Sequence, residues 1–180
     1  AAAHAAQLDA TFIEAGRTLA DFKLVAMDMD STLITIECID EIADMQGLKP
    51  QVAEITEAAM RGELEFCESL TRRVALLKGL DASALERVYD ERLAISPGGE
   101  AMLGAVRAAG LKTLLVSGGF TFFTDRLKER LGLDYTHANV LEVVDGKLTG
   151  RAINELPVVF NGKFVSAHPF VERSEVIING

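Results

Sequence analysis

Short apolar runs alternate with longer amphipathic stretches along this chain, a pattern that predicts helices packed on a sheet. Leu24-Val25-Ala26 reads as a buried parallel strand, residues 111–116 as a second and 135–139 as a third. Helical spacing also covers residues 4–19. Between the first two strands the pattern is helical throughout. Ile39, Ile42, Ala43 and Met45 mark one face, and Val52, Ile55, Ala59 and Met60 a second, with Pro50 near its start. Phe66, Leu70, Val74 and Leu77 mark a third. Leu85, Val88, Tyr89 and Leu93 mark a fourth, with Asp81 as its N-cap. Four helices inserted directly after a strand are well placed to act as a lid. Residues 101–109 and 121–131 predict further helices around the second strand. Two hairpins follow, turning at Asp145-Gly146 and at Asn161-Gly162 between apolar flanks.

The first strand runs into Met27-Asp28-Met29-Asp30-Ser31-Thr32-Leu33. Two carboxylates one residue apart, just past a strand end, occupy the place where open α/β sheets put their chemistry. Asp28 and Asp30 point the same way if the extended geometry continues that far. Carboxylates sharing a small volume repel each other and attract a hard cation such as Mg²⁺. One can attack phosphorus while the other moves a proton. The plainer reading is a loop with two solvated aspartates, and spacing alone leaves both open.

Composition narrows the classes. The chain has 180 residues, 49% hydrophobic, which suffices for one substantial core with a small appended subdomain. A net charge of -9 without a Lys/Arg cluster argues against nucleic acid as a partner. No apolar run is long enough for a membrane span, and Ala-Ala-Ala-His opens the chain without a secretory pattern, so the expected compartment is the cytoplasm. Cys38 and Cys67 are too few for a disulfide scaffold and are expected as buried thiols.

Ser117-Gly118-Gly119-Phe120 closes the second strand. A hydroxyl, two glycines that let backbone approach a ligand, and a following helix with free N–H groups all suit phosphate. The triplet alone is weak, but its place beside the aspartate pair strengthens both.

The motif Asp28-Met29-Asp30-Ser31-Thr32-Leu33, continued by Ile36-Glu37-Cys38-Ile39-Asp40-Glu41-Ile42-Ala43, resembles the phosphoserine phosphatases of the haloacid dehalogenase-like hydrolase superfamily. Gly62-Glu63-Leu64, Phe66, residues 69–77, Val116 to Phe120 and Asp145 to Gly150 extend the likeness over about residues 23–151. The resemblance implies an α/β fold with a Rossmann-like parallel sheet. The core would comprise residues 1–35 and 95–180, and a helical C1-type cap residues 36–94. It implies Mg²⁺-dependent hydrolysis of O-phosphoserine through an aspartyl phosphate. Asp28 would be the nucleophile and Asp30 the acid and base. Mg²⁺ would bind Asp28 and the Asp30 carbonyl. Ser117 and the Gly118 amide would hold phosphate, Glu37 would face the substrate amine, and Arg73 the carboxylate, with Phe66 covering the ligand. A broader small-molecule phosphomonoesterase is the alternative enzyme. An inactive phosphate- or phosphoserine-binding remnant is the alternative of another class.

The likeness stops after Arg151. The family next supplies a lysine on the phosphate and a strand ending in Gly-Asp-Gly-x-x-Asp. Here the only later lysine is Lys163, and the later acids are Glu155, Glu172 and Glu175. Neither Lys163 nor His168 is a strong replacement. The implied core is therefore incomplete and its activity impaired, with the atypical tail 152–180 in place of the missing strand. The open edge of the first strand would be covered by the hairpin of residues 158–165 or by a second copy in a homodimer.

Overall fold

The computed structural model describes residues 15–153. The chain enters through a single 3-10 turn, Leu19–Asp21, preceded by loop from Ala15 onward. The helix expected over residues 4–19 thus does not reach this stretch. Its earlier part, the second hairpin, Lys163 and His168 lie outside the described residues.

Among the described residues four strands form one sheet in the order β1 (Leu24–Met27), β2 (Lys112–Phe120), β3 (Tyr135–Val144) and β4 (Lys147–Ile153). The first three run parallel and β4 is antiparallel to β3, giving the expected α/β architecture. Among the described residues β1 is an edge strand, and Leu24, Val25 and Ala26 are only partly buried.

Among the described residues six helices accompany the sheet: α1 (Cys38–Asp44), α2 (Lys49–Met60), α3 (Phe66–Ala75), α4 (Ser83–Glu91), α5 (Gly99–Ala108) and α6 (Thr121–Leu131). Helices α1 to α4 all fall between β1 and β2. Their apolar faces, including Ile42, Val52, Val74 and Val88, join Leu77 of the turn after α3 and Leu115, Phe120, Phe123 and Leu127 in one continuous core. Two marker residues differ from the expected pattern. Met60 ends α2 with 84% of its surface exposed, and Phe66 opens α3 largely exposed. Both sit at helix ends, beyond the packed turns. Cys38 is buried as expected, whereas Cys67 is exposed, because α3 buries the neighbouring positions Ser69, Leu70 and Val74 instead. Asp81 does cap α4, accepting from the Ser83 N–H at 2.9 Å, one residue before the formal cap Ala82.

Two crossings join the four helices to the sheet. Ile34 on the way out bridges Ile95 on the way back, with Thr35 N–H donating to Ala94 O at 3.0 Å and Ser96 N–H to Leu33 O at 2.9 Å. The second joint comes from the β3–β4 hairpin. Asp145 and Gly146 both have positive φ, 50° and 74°, as a tight primed hairpin turn requires. The residues expected as a third strand and as the first arm of this hairpin are one strand, β3, which pairs with β2 and then with β4. The hairpin docks on the loop after α3: Gly79 N–H donates to Leu148 O, Leu148 N–H to Leu80 O and Ala82 N–H to Gly146 O, each at 2.8 Å. A side chain at Gly150 would stand 2.9 Å from Lys78 Cβ and 3.1 Å from the Ala75 carbonyl. The backbones meet that closely only because position 150 is glycine.

Within the helical segment, half-buried Arg92 donates to Glu41 and, at 2.7 Å, to Asp44, tying the loop after α4 to α1. Lys49 adds a bond to Glu41 at 2.9 Å. Glu41 is held below the usual carboxylate range chiefly by Lys49 and then by Arg92, and Asp44 chiefly by Arg92. Depressed carboxylates stabilise fully above their unfolded-state pKa, and that share is lost as pH falls through the folded-state values. Arg92→Met should therefore lower the melting temperature at neutral pH. The difference from the parent chain should shrink as pH falls below the ordinary carboxylate range. A difference that stays constant in a pH series of melting curves would contradict the network.

Candidate functional site

The first acidic residue sits where β1 ends. Extended geometry continues through Asp28 (φ -80°, ψ 163°), and a single wide turn, Met29–Leu33, follows. The chain closes it by donating from Ile34 N–H to Met29 O at 3.0 Å. Ser31 stands inside it at φ 52°, an uncommon conformation for a residue with a side chain. The turn, not strand alternation, therefore aims the two carboxylates. Asp28 Oδ1 accepts from the Met29 N–H at 2.6 Å. Asp30 reaches further: Oδ1 accepts from the Cys38 N–H at 2.8 Å and Oδ2 from the Ser117 hydroxyl at 3.2 Å. Asp30 thus links β1, the start of α1 and the end of β2.

Burial pushes both carboxyls above the ordinary range. For Asp28 the Met29 N–H only partly offsets it. For Asp30 the Cys38 and Ser117 hydrogen bonds oppose burial, while the Glu37 charge adds to it. For Asp30 that direction suits a group that gives and takes a proton.

Ser117-Gly118-Gly119 lies within β2 rather than beyond it. Val116 pairs with His137 but Phe120 with Asn139, so β2 bulges between those pairs. The bulge is held from two sides. Gly119 N–H donates to Ser117 Oγ at 2.8 Å, and Asn139 Nδ2 donates to the Gly118 carbonyl at 2.8 Å. A Cβ on Gly119 would lie 2.8 Å from Asp30 Oδ2 and 3.0 Å from Ser117 Oγ. A Cβ on Gly118 would meet the Phe66 ring at 3.0 Å. Phe66 at the start of α3 therefore lies directly over the glycine backbone.

Helix α3 also carries Arg73, one face with Phe66. Its half-buried guanidinium has an Nε–H with no hydrogen-bond partner. Burial lowers its pKa, opposed by the charges of Asp40, Glu37 and Asp30 in that order. Glu37, just before α1, accepts from the Ser31 hydroxyl at 2.6 Å. The structure thus joins Asp30, Ser117, Gly118, Phe66, Glu37 and Arg73 through direct contacts or mutual fields, and Asp28 precedes this group by one turn of chain.

Three contributors escaped the reading of the sequence. The sequence predicts Cys38 only as a buried thiol, yet its backbone N–H orients Asp30. Its place at the first position of a helix, where N–H groups are free, was the available signal. Asn139 supports the bulge from a neighbouring strand, which only the pairing reveals. Asp40 has its carboxyl raised by burial and then by Glu37, and it faces the field of Arg73. Its position three residues after Glu37 placed it on the same helix face.

The chain matches the family model of the haloacid dehalogenase-like hydrolases over residues 25–169. It is 60% identical over 138 residues to a phosphoserine phosphatase of Polaromonas sp. (strain JS666), an alignment covering 76% of this chain and 58% of that protein. A phosphoserine phosphatase of Albidiferax ferrireducens is 58% identical over the same share of each. Among solved structures, a phospho-aspartyl intermediate analogue of phosphoserine phosphatase superposes with TM-score 0.70 at 44% identity, covering 74% of this chain and 63% of that one. A substrate-bound phosphoserine phosphatase complex gives the same TM-score, 0.70, at 43% identity and the same coverage. The chain spans less than two thirds of the length of these relatives. The family model and the sheet carrying its paired aspartates agree: the chain belongs to the haloacid dehalogenase-like hydrolases.

Proposed function

We propose that the chain is a phosphoserine phosphatase-type hydrolase acting on O-phosphoserine, with residues 36–94 as a cap over a core of residues 1–35 and 95–180. The observation that carries the substrate is Arg73, a half-buried guanidinium with an unpartnered Nε–H set among Glu37, Asp40 and Asp30. A cation and carboxylates together suit a zwitterionic amino-acid end, Arg73 taking the carboxylate and Glu37 the amine. Phe66 covers the ligand from above Gly118.

In this reading Asp28 attacks phosphorus as the bond from phosphorus to the serine oxygen breaks, giving an aspartyl phosphate. Asp30 delivers its proton to the departing oxygen. Asp30 then takes a proton from the water that attacks the intermediate, which frees phosphate and restores Asp28. Ser117 Oγ and the Gly118 N–H hold the phosphoryl oxygens.

The hard oxygens of Asp28 and of the Asp30 carbonyl fit Mg²⁺, which also accepts water and substrate phosphate as ligands. When bound, Mg²⁺ would supply positive charge against the phosphoryl oxygens. Among the described residues no group of three acidic, histidine or cysteine side chains gathers for a metal, so Mg²⁺ would be held weakly. That sparse donor set favours one second reading, a protein that binds the phosphomonoester without turning it over. No helix among the described residues is long and apolar enough to cross a membrane.

Arg73→Ala should weaken O-phosphoserine by about 2 kcal/mol, roughly thirtyfold, by leaving a carboxylate without its partner. An uncharged phosphomonoester should lose far less. Calorimetric binding of both compounds checks this, and equal losses would make Arg73 a phosphate or framework contact.

A further inference from the structure

Helix α3 carries two buried polar atoms with no hydrogen-bond partner, Ser69 Oγ and Arg73 Nε. They stand four residues apart, on one helix face. Ser69 is 1% exposed. A buried hydroxyl with nothing to bond costs the free energy of its lost hydration, and alanine there would also favour the helix. Other hydroxyls in this region return to their own helix: Thr71 Oγ1 donates to Cys67 O at 2.8 Å and Thr56 Oγ1 to Val52 O at 3.1 Å. Ser69 makes no such bond, although its backbone N–H donates to Glu65 O at 2.9 Å. Helical side chains lean toward the N-terminus, so Arg73 leans over the turn that holds Ser69. Leu70 and Val74, buried beside them, offer an N–H nothing.

We propose that Ser69 is a positioning residue for Arg73, its hydroxyl oxygen taking up the Arg73 Nε–H through one bridging water, since the two atoms do not bond each other directly. Both orphaned atoms are then satisfied by one arrangement. The guanidinium is fixed at its inner nitrogen, and its two terminal nitrogens stay free to receive a planar carboxylate as a fork. Preorganising the fork reduces the entropy lost when the ligand arrives. The consequence for binding rests on the reading of Arg73 as a carboxylate ligand; the pairing itself does not.

A double-mutant cycle on the full chain tests the pairing: Ser69→Ala, Arg73→Met and the two together, followed by urea unfolding. Ser69→Ala should lower the unfolding midpoint in the parent chain and lower it much less once Arg73 is methionine. Equal losses in the two backgrounds would overturn the proposal. Calorimetry with O-phosphoserine and inorganic phosphate tests the consequence. Ser69→Ala should weaken O-phosphoserine about tenfold, leave inorganic phosphate unchanged, and be largely rescued by Ser69→Thr. Undiminished O-phosphoserine binding in Ser69→Ala, beside a clear loss in Arg73→Met, would overturn the positioning role. If the parent chain binds inorganic phosphate but not O-phosphoserine, the substrate reading fails, and the unfolding cycle alone decides whether the two residues are paired.

Discussion

Asp28→Asn should abolish transfer of phosphate to the protein and lower turnover of O-phosphoserine by on the order of a thousandfold or more. An amide oxygen is a poor nucleophile, and no other carboxylate stands at the end of β1 with extended backbone behind it. Asp30→Asn should behave differently. Asparagine keeps an oxygen for the Cys38 N–H, so the local fold survives, but it cannot accept a proton from water. Phosphorylated protein should then accumulate, with release slowed by roughly a hundredfold to ten-thousandfold. Acid-quenched mass measurement separates the two variants. Retained turnover in Asp28→Asn would remove it from the role of nucleophile.

Gly119→Ala should also lower turnover, less than Asp28→Asn does and through geometry alone. The added methyl would sit 2.8 Å from Asp30 Oδ2 and 3.0 Å from Ser117 Oγ. The backbone beneath it is pinned by the Gly119 N–H bond to Ser117 and by Asn139 on the next strand. Asp30 is the side chain that must yield, breaking its 3.2 Å bond to Ser117. Turnover should fall about a hundredfold, since small displacements of a reacting group carry penalties of that order. The melting temperature should change little. Gly118→Ala should be milder, because the atom in its way is the far end of the exposed Phe66 ring. Equal activity in the parent and Gly119→Ala chains would show that Asp30 need not stay where Ser117 holds it.

Much of the fold could be read from residues alone because local patterns and tertiary needs coincide. Leu24 to Ala26 form the expected strand, although only partly buried, the helices α1 to α4 fall on their apolar rows apart from Met60 and Phe66, and Asp145-Gly146 makes the expected turn. The parallel order with β1 outermost among the described strands also follows the expectation. What could not be read depends on contacts distant in sequence. Nothing near Asn139 says that it will hold the bulge at Gly118, and nothing near Leu148 says that it will bond Gly79 and Leu80. The break after Asp28 was likewise hidden. Strand alternation suggested that Asp28 and Asp30 share a direction, whereas the wide turn with Ser31 at positive φ redirects the second carboxylate toward α1 and β2. Phe66 and Met60 fit a helical apolar row, but both fall at helix ends where the row runs out of neighbours.

The proposed reaction moves the phosphoryl group of O-phosphoserine onto Asp28 and then to water. The most direct test incubates the full chain with O-phosphoserine and Mg²⁺, follows released phosphate, and locates any protein-bound phosphate after acid quench. Phosphate and serine should be released in equal amounts, with covalent phosphate on the peptide containing Asp28. Calorimetric binding of O-phosphoserine with neither phosphate release nor phosphate on Asp28 would contradict it and leave a binding protein.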